Sequence, residues 1–230
     1  MTRSIILIPS RMSANRLQGK PLLEINKIPI ISHVVQKAKE SEIGEVFVAT
    51  EDIEIVSAVQ QHGGKAILTK KHKTGTDRIF EALTILKNKN IDYVLNLQGD
   101  EPMIDPKDII NLNNFMIKSN ADMGTLASKI NDDKVLNNKN IVKVITEKKL
   151  ENNSFSKALN FFRKNLLNKN FNIYHHIGIY AYKVSALKKF INLEQTQNEI
   201  KNKLEQLRAL ENNITIMVAL AKTSPIGVDT

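Results

Sequence analysis

Residues 5–24, IILIPSRMSANRLQGKPLLE, join a continuous apolar run to a loop rich in basic residues. The apolar run is typical of a strand buried on both faces, and Pro9 marks the point where it breaks. Arg11, Arg16 and Lys20 follow within eleven residues, with a glycine beside the lysine. This loop is either a solvated basic surface or a binding site for a polyphosphate, because arginine binds phosphate through two parallel hydrogen bonds.

The first half of the chain alternates β-branched runs with helical patterns. The predicted strands are SIILIP, EVFVAT, KAILT and IDYVLNLQ. The predicted helices are PIISHVVQKAKES, IEIVSAVQQHGG and TDRIFEALTILKN. Pro29 is well placed at the start of the first helix, and glycines follow the second. Such alternation predicts right-handed crossovers and a mainly parallel sheet, and thus an α/β fold.

The pattern changes at about residue 121. Three longer strand patterns follow with fewer helices between them: ADMGTLASKI, IVKVIT and NIYHHIGIYAYK. A helix, NEIKNKLEQLRALENN, and a strand, ITIMVALA, come last. We therefore expect a mixed or antiparallel extension of the sheet in the second half. No linker or internal repeat divides the chain, so residues 1–230 are predicted to form a single domain.

Composition narrows the classes of protein. The chain has 230 residues, a net charge of +9 and no cysteine, which excludes disulfides, a thiolate nucleophile and a zinc–cysteine cluster. No apolar run approaches the roughly 18 residues of a membrane span, and no export signal is recognisable at the N-terminus, so we expect a cytoplasmic protein. The charge allows an anionic partner, but its lysines are scattered among asparagines, which is more typical of a solvated surface than of a nucleic-acid patch.

Ligands of open α/β sheets bind at the carboxyl ends of the strands. That rule places the loops after Ile8, Thr50, Leu68 and Leu97 along one edge. Neither a Walker loop nor the glycine-rich dinucleotide fingerprint is present there. A phosphate site at this edge would therefore depend on the cations of the first loop and on chain segments near the other strand ends.

Asp100 follows Gly99 at the end of the fourth predicted strand, in NLQGDEPMI. A carboxylate beside phosphate oxygens is a usual way for proteins to hold Mg²⁺. A helix cap or a turn before Pro102 is the simpler interpretation of the same aspartate. Asp229, in SPIGVDT, is placed to be a second metal ligand, although on its own it is only a tail residue.

The segment HKTGTDR precedes the third predicted helix and brings Thr74, Gly75, Thr76 and Arg78 to the same edge. Backbone N–H groups at a helix start suit a phosphate, a ribose or a base. Thr76 is predicted to act as an ordinary N-cap.

Two further segments carry polar residues in the second half. His175 and His176 lie on opposite faces of their strand, so one suits the core and the other a ligand. In LEQLRALE, leucines form the core stripe, and the simplest interpretation places Glu205, Gln206 and Arg208 on a solvated helix face.

Taken together, six segments point to one family. They are IPSRMSANRLQGKPL, TGTDR, NLQGDEPMI, HHIGIYAYK, LEQLRALE and GVDT. In their order and spacing the chain resembles the 3-deoxy-D-manno-octulosonate (Kdo) cytidylyltransferases from about residue 4 to its last residue. The resemblance implies a Rossmann-like nucleotidyltransferase fold, a homodimer, and conversion of CTP and Kdo to CMP-Kdo and pyrophosphate for lipopolysaccharide biosynthesis. It also implies a nucleotide-binding half, residues 1–120, and a half for sugar binding and dimerisation, residues 121–230.

The resemblance assigns roles to individual residues. Lys20, Arg16, Asp100 and Asp229 are the expected catalytic residues, and the two aspartates are the expected ligands of the Mg²⁺ cofactor. The expected nucleotide-binding residues are Pro9, Arg11, Arg16, Lys20, Thr74, Gly75, Thr76 and Arg78. The expected sugar-binding residues are Gln98, Arg163, His176, Tyr180, Glu205 and Gln206.

The sequence departs from the family pattern at four places. Asn15 and Arg16 replace the usual Thr/Ser-Arg, which leaves Ser13 displaced by one position. Gln18 stands where the family has proline, and FSKALNFF replaces Phe-Ser-Arg-x-x-Ile-Pro, so Lys157 stands in for an arginine. Lysine lacks the guanidinium fork, and Arg163 is the candidate to compensate. The helix that usually follows GVDT in the family is not part of this sequence.

Two alternatives remain at this point. A cytidylyltransferase for sialic acid or an 8-amino-Kdo analogue would share the nucleotide half, and LEQLRALE favours Kdo. A basic RNA-binding protein without enzymatic activity would need aromatic stacking platforms, yet aromatic residues make up only 5% of the chain. We expect CTP and Kdo as substrates and neither nucleic acid nor a membrane as a partner.

Overall fold

The computed structural model describes residues 2–13, 17–87, 90–152, 154–163 and 171–222. It divides into two compact units, the first up to Asn113 and the second from Asn114. Within the described ranges, no helix combines the length and the apolar character needed to cross a bilayer.

The first unit alternates strands and helices as predicted. Its elements in chain order are β1 (Ser4–Ser10), a 3₁₀ helix (Lys20–Leu22), β2 (Glu24–Ile25), β3 (Ile28–Pro29), α1 (Ile30–Glu40), β4 (Gly44–Thr50), α2 (Ile53–Gln61), β5 (Ala66–Leu68), α3 (Gly75–Ile85) and β6 (Tyr93–Asn96). Helix α4 (Pro106–Ser119) contains the boundary between the units. Strands β2 and β3 form a small antiparallel pair of their own.

The sheet of the first unit is parallel, as expected. Its order is β5–β4–β1–β6, so β1 is paired on both sides. Its apolar run is completely buried: Ile6, Leu7 and Ile8 expose none of their surface. The register sets Ser10 beside Thr50 and Leu7 beside Asn96, which brings the carboxyl ends of β1, β4 and β6 to one edge.

The second unit is mixed. Its elements are β7 (Met123–Ser128), α5 (Asp133–Asn137), β8 (Lys143–Thr146), β9 (Phe155–Phe162), β10 (Asn172–Lys183), α6 (Val184–Ile191), α7 (Gln197–Asn202), α8 (Gln206–Glu211) and β11 (Ile216–Leu220). β11 pairs parallel with β7 and antiparallel with β9, while β10 pairs antiparallel with β7 and β8. Because β8 also pairs with β9, these five strands form a closed circuit of pairings.

The single helix predicted over NEIKNKLEQLRALENN is wrong. Two short helices, α7 and α8, occupy the segment, and Lys203 between them has a positive φ of 54°. A left-handed residue cannot continue a right-handed helix. Helix α7 begins with a capping box in which Thr196 and Glu199 bond each other's backbone N–H groups. The leucine spacing did not reveal the break, because Leu204 and Leu207, both buried, follow Lys203 in the chain.

A buried ion pair joins these two helices. Arg208 donates from Nε to Oε2 of Glu199 at 2.8 Å and from Nη2 to Oε1 at 2.6 Å. Its guanidinium also lies 4.5 Å from the ring centre of Phe190. Arg208 and Gln206 are 3% and 6% exposed, so the solvated helix face expected for them is wrong. The charge of Glu199, which is nine residues earlier in the chain, is what makes burial of this arginine possible.

Glu199→Ala is expected to destabilise the protein by about 3–5 kcal/mol, because it leaves the Arg208 guanidinium buried without a counter-charge. Urea unfolding measures this change. The control is Glu40→Ala, which removes the partner of Lys37 from an exposed pair 2.8 Å long and should cost less than about 1 kcal/mol. Equal losses in the two variants would contradict the importance of the buried pair.

Candidate active site

The loops at the carboxyl edge of the first unit enclose a pocket of about 260 Å³. Its described lining residues are Pro9, Ser10, Arg11, Lys20, Pro21, Thr74, Gly75, Arg78, Gln98, Gly99 and Asp100. They come from the end of β1, from the start of α3 and from the segments that follow β1, β5 and β6. The prediction that these segments meet at one edge is confirmed.

The loop after β1 is held by its own backbone and by the neighbouring strand end. The N–H of Met12 donates to Oδ2 of Asp52 at 2.7 Å, and Gly19 N–H donates to the carbonyl of Met12 at 3.0 Å. Gly19 has a φ of 72°, a conformation that glycine adopts without strain. The turn delivers Lys20 to the first position of the 3₁₀ helix, where its side chain faces the pocket.

Lys20 and Asp100 form an ion pair in the pocket. Lys20 Nζ lies 2.7 Å from Oδ2 of Asp100. The lysine side chain is 10% exposed, whereas that of the aspartate is 40% exposed. A mostly buried ammonium beside a half-exposed carboxylate supplies a donor for phosphate oxygens and an acceptor for a cation at one place.

Two glycines let the other loops approach Pro9 closely. A Cβ on Gly75 would lie 3.3 Å from Cγ of Pro9, and a Cβ on Gly99 would lie 3.1 Å from the Pro9 carbonyl oxygen. Both distances are tighter than an ordinary carbon contact, which is near 3.5–4.0 Å. The pocket floor is therefore tightly packed at both glycines, and a larger residue at either position would require its neighbours to shift by a few tenths of an ångström.

The threonines of the third segment do not act as expected. Thr74, not Thr76, is the N-cap of α3, and its Oγ1 accepts from Asp77 N–H at 3.1 Å. Thr76 is 4% exposed and is not among the described lining residues. The spacing of Thr74 and Asp77 identifies the cap in retrospect, because an N-cap side chain bonds the N–H three residues later.

Arg78 lines the pocket but is already paired. Its Nη2 donates to Glu51 at 2.8 Å and its Nη1 to Thr69 at 2.8 Å, and the residue is 2% exposed. Glu51 was not predicted as part of the site, although its position directly after β4 on the same edge was a usable signal. Arg78 thus joins the ends of β4 and β5 as well as lining the pocket.

Ser10 was also missed. Its hydroxyl oxygen is buried and makes no hydrogen bond to any residue that the structure describes, although the residue lines the pocket. The only feature of the sequence that could have identified Ser10 as a pocket residue is its position between Pro9 and Arg11.

A second group of expected site residues lies in the second unit, on β10. The ring centres of His176 and Tyr180 are 5.4 Å apart. Residues four apart in a regular strand are separated by about 13 Å. The pairing register explains the short distance. Ile177 pairs with Leu126 and Tyr180 pairs with Thr125, so β10 contains a bulge between Ile177 and Tyr180.

Burial controls the protonation of both side chains. Desolvation, followed by the charges of His175 and Arg163, lowers the pKa of His176 to about 3. Desolvation likewise raises the pKa of the Tyr180 hydroxyl well above its usual value, with smaller contributions from Tyr182 and Glu205. At neutral pH the imidazole is therefore neutral and the phenol keeps its proton.

Arg163 ends the strand that carries Lys157. Its Nη1 donates to the carbonyl of Asn140 at 2.8 Å, and its backbone carbonyl accepts from the ammonium of Lys143. Lys143 is completely buried and also donates to Asn138 and Ile141 carbonyls, each at 2.9 Å. Burial lowers the pKa of Lys143, with the charge of Arg163 second. No sequence pattern indicated these contacts of Lys143, because VKVIT resembles an ordinary strand.

The remaining expected residues are distributed as follows. Glu205 is half-buried at the start of α8 and Gln206 is buried in its first turn, whereas Lys157 is exposed on β9. Gln98 lines the pocket of the first unit. Arg16 and Asp229 lie outside the described residues.

One carboxylate of the expected metal site is described. Asp100 offers Oδ1 to the pocket, because only Oδ2 is bonded to Lys20 among the described residues. No group of three His, Asp or Glu side chains suited to a metal occurs in the described ranges. A site of one or two carboxylates completed by substrate phosphates and water fits Mg²⁺, which is seldom held by protein ligands alone.

The fold and the pocket define a nucleotidyltransferase. The family model for cytidylyltransferases matches residues 5–216. A solved cytidylyltransferase from Leptospira borgpetersenii superposes with a TM-score of 0.65 at 16% identity, covering 100% of this chain and 82% of that one. This likeness shows the fold, with its central sheet flanked by helices.

Nearer relatives show the particular family. A solved CMP:2-keto-3-deoxy-manno-octonic acid synthetase in complex with CTP matches with a TM-score of 0.89 at 35% identity, covering 100% of this chain and 94% of that one. The 3-deoxy-manno-octulosonate cytidylyltransferase of Nitrobacter hamburgensis is 42% identical over 231 residues, covering 100% of this chain and 89% of the relative. The chain belongs to the 3-deoxy-manno-octulosonate cytidylyltransferase family.

Lys20→Ala is expected to lower kcat/KM for CTP by roughly 10²–10³, the loss typical of removing one preorganised donor to developing charge. Pyrophosphate release measures the rate, and circular dichroism should show an unchanged fold. Lys37→Ala, which removes a surface lysine of α1 in the same unit, is the control. If Lys20→Ala has the same kcat/KM as the control, Lys20 does not bind the phosphates and the loop is a solvated basic surface.

Proposed function

We propose that this enzyme transfers CMP from CTP to Kdo, releasing pyrophosphate and supplying CMP-Kdo for lipopolysaccharide biosynthesis. The observation that supports it best is the pocket with the Lys20–Asp100 pair at the carboxyl edge of a fold shared along the whole chain with a CTP-bound synthetase. The relatives named for the same reaction match the chain from end to end.

In the proposed reaction the anomeric hydroxyl oxygen of Kdo attacks the α-phosphorus of CTP. A new P–O bond forms, the bond to the pyrophosphate oxygen breaks in line with it, and the hydroxyl proton is released. Lys20 donates to phosphate oxygens and stabilises the negative charge of the leaving pyrophosphate, and Arg11 and Arg16 bind along the triphosphate. Catalysis then consists mainly of positioning and charge stabilisation.

The pocket floor contributes shape rather than charge. Gly75 and Gly99 keep the loops close to Pro9, and the free N–H groups in the first turn of α3 suit an anionic or carbonyl oxygen. Arg78, held by Glu51 and Thr69, gives this wall a fixed position. The base and ribose of CTP are the proposed occupants.

Asp100 and Asp229 are the proposed ligands of Mg²⁺. When bound, the ion would lower the pKa of an attacking hydroxyl and screen charge at phosphorus. Asp100 would have to share its carboxylate with Lys20, which already occupies Oδ2. This shared use sets the spacing between the lysine donor and the cation.

The sugar acid is the proposed ligand of Gln98, Arg163, His176, Tyr180, Glu205 and Gln206. Arg163 is the candidate for the sugar carboxylate, because a guanidinium can hydrogen-bond a carboxylate through two parallel N–H groups. We also propose that residues 1–120 bind the nucleotide and residues 121–230 bind the sugar and dimerise, in a cytoplasmic homodimer. Sedimentation at micromolar concentration would test the homodimer.

The reaction is tested by measuring pyrophosphate release from each of the four nucleoside triphosphates, with and without Kdo. We expect release from CTP only when Kdo is added, because the sugar hydroxyl is the nucleophile. Sialic acid and 8-amino-Kdo serve as competing acceptors. Equal turnover with ATP, or release without any sugar acid, would refute the proposal, and preference for another acceptor would reassign the sugar.

Asp100→Asn is expected to abolish activity at every magnesium concentration, because the amide keeps the shape of the side chain but loses its charge. Asp229→Asn is expected to retain activity that rises with added Mg²⁺. The control is Asp105→Asn, since Asp105 lies in the segment after β6 and caps Lys107 N–H at 2.9 Å. Full activity of Asp100→Asn would remove that residue from the metal site.

A further inference from the structure

Thr125 lies on β7 opposite the bulge of β10 and is completely buried. Its Oγ1 is 2.7 Å from the carbonyl oxygen of Ile179 and 3.3 Å from that of Ile177. The same oxygen is 3.0 Å from Nε2 of His176. One hydroxyl therefore contacts both carbonyls of the bulge and the histidine beside it.

The hydroxyl has only one proton for these neighbours. Two oxygens 2.7 Å apart without a proton between them would repel each other, so the Thr125 proton lies towards the carbonyl of Ile179. Thr125 can then only accept from His176. This requires the proton of the neutral imidazole to be on Nε2, and it leaves Nδ1 with a lone pair.

Two polar atoms on this face are left for a ligand. His176 Nδ1 and the Tyr180 hydroxyl make no hydrogen bond to any residue that the structure describes, and the tyrosine oxygen is buried. Nδ1 can only accept and the phenol can donate. The two rings are 5.4 Å apart, within reach of one small molecule.

We propose that Thr125 is a positioning residue that fixes His176 as the Nε2–H tautomer, so that Nδ1 accepts a hydrogen bond from a hydroxyl of the sugar acid. This inference rests on the proposed function only for the identity of the ligand. The neutrality of His176, whose pKa burial lowers to about 3, is consistent with a single ring proton.

The tautomer restricts the group that His176 recognises. A carboxylate offers only acceptors at neutral pH, so it has no hydrogen bond to make with an unprotonated Nδ1. An alcohol hydroxyl donates to Nδ1 and can accept from the Tyr180 phenol. His176 therefore selects a hydroxyl, and the carboxylate of the sugar acid must bind elsewhere.

The tautomer is measured directly by ¹⁵N NMR of the full chain labelled in its histidines. The signals of His176 are assigned by their loss in His176→Gln. At pH 7 we expect Nε2 to resonate as a protonated, pyrrole-type nitrogen and Nδ1 as an unprotonated, pyridine-type nitrogen. A protonated Nδ1, alone or in an imidazolium, would overturn the inference.

The positioning role is tested by kinetics. Thr125→Val removes the hydroxyl and keeps the shape, and it should raise KM for Kdo roughly tenfold, the factor for losing one neutral hydrogen bond. KM for CTP should stay within about twofold. Thr125→Ser should restore KM for Kdo, because serine supplies the same hydroxyl.

The matched control is Thr146→Val, which removes another buried hydroxyl of the same unit, one that donates to Lys148 carbonyl at 2.8 Å. Equal rises in both KM values, or a rise in Thr146→Val as large as in Thr125→Val, would reduce Thr125 to a general packing role and overturn the inference. Failure of the wild type to form CMP-Kdo would refute the proposed function instead, and the NMR spectrum would still decide the tautomer.

Discussion

The parallel pairing of β1 with β4 on one side and β6 on the other is the constraint on which the pocket of the first unit depends. Strands that run in the same direction end at the same edge, so loops distant in sequence meet there. Lys20 and Asp100 are eighty residues apart, yet their charged atoms are 2.7 Å from each other. Glycines 75 and 99 preserve this arrangement because each leaves room for Pro9.

Ion pairs line the pocket of the first unit, whereas the rings of His176 and Tyr180 in the second unit are neutral. In the pocket of the first unit, Lys20 pairs with Asp100 and Arg78 pairs with Glu51. These two cations are held in place without a ligand, which reduces the reorganisation that binding of an anion would require. On β10 the rings of His176 and Tyr180 are instead neutral, because burial disfavours their charged forms. Neutral groups of this kind interact with a ligand through the direction of hydrogen bonds rather than through charge.

Much of the fold follows from local pattern, because buried β-branched runs and amphipathic helices have distinct periods. The apolar run before Pro9 and the alternation of strand and helix patterns up to β6 were sufficient to predict the parallel sheet of the first unit. Features of the structure that the sequence pattern did not reveal depend on contacts between residues distant in the chain. Arg208 is buried because Glu199 supplies its counter-charge. Arg78 donates a hydrogen bond to Glu51, and the backbone carbonyl of Arg163 accepts one from the ammonium of Lys143. The contact between His176 and Tyr180 needs a bulge, which period-two spacing does not contain.

The position of β11 has a consequence for synthesis. This strand, close to the end of the described chain, lies between β7 and β9, and β7 precedes it by almost a hundred residues. Until residues 216–220 leave the ribosome, β7 and β9 each lack a neighbour and expose an unpaired backbone edge. The second unit must therefore complete its folding after residues 216–220 have been made, whereas the sheet of the first unit can form much earlier. During that interval the nascent chain is most exposed to edge-to-edge aggregation and to chaperones.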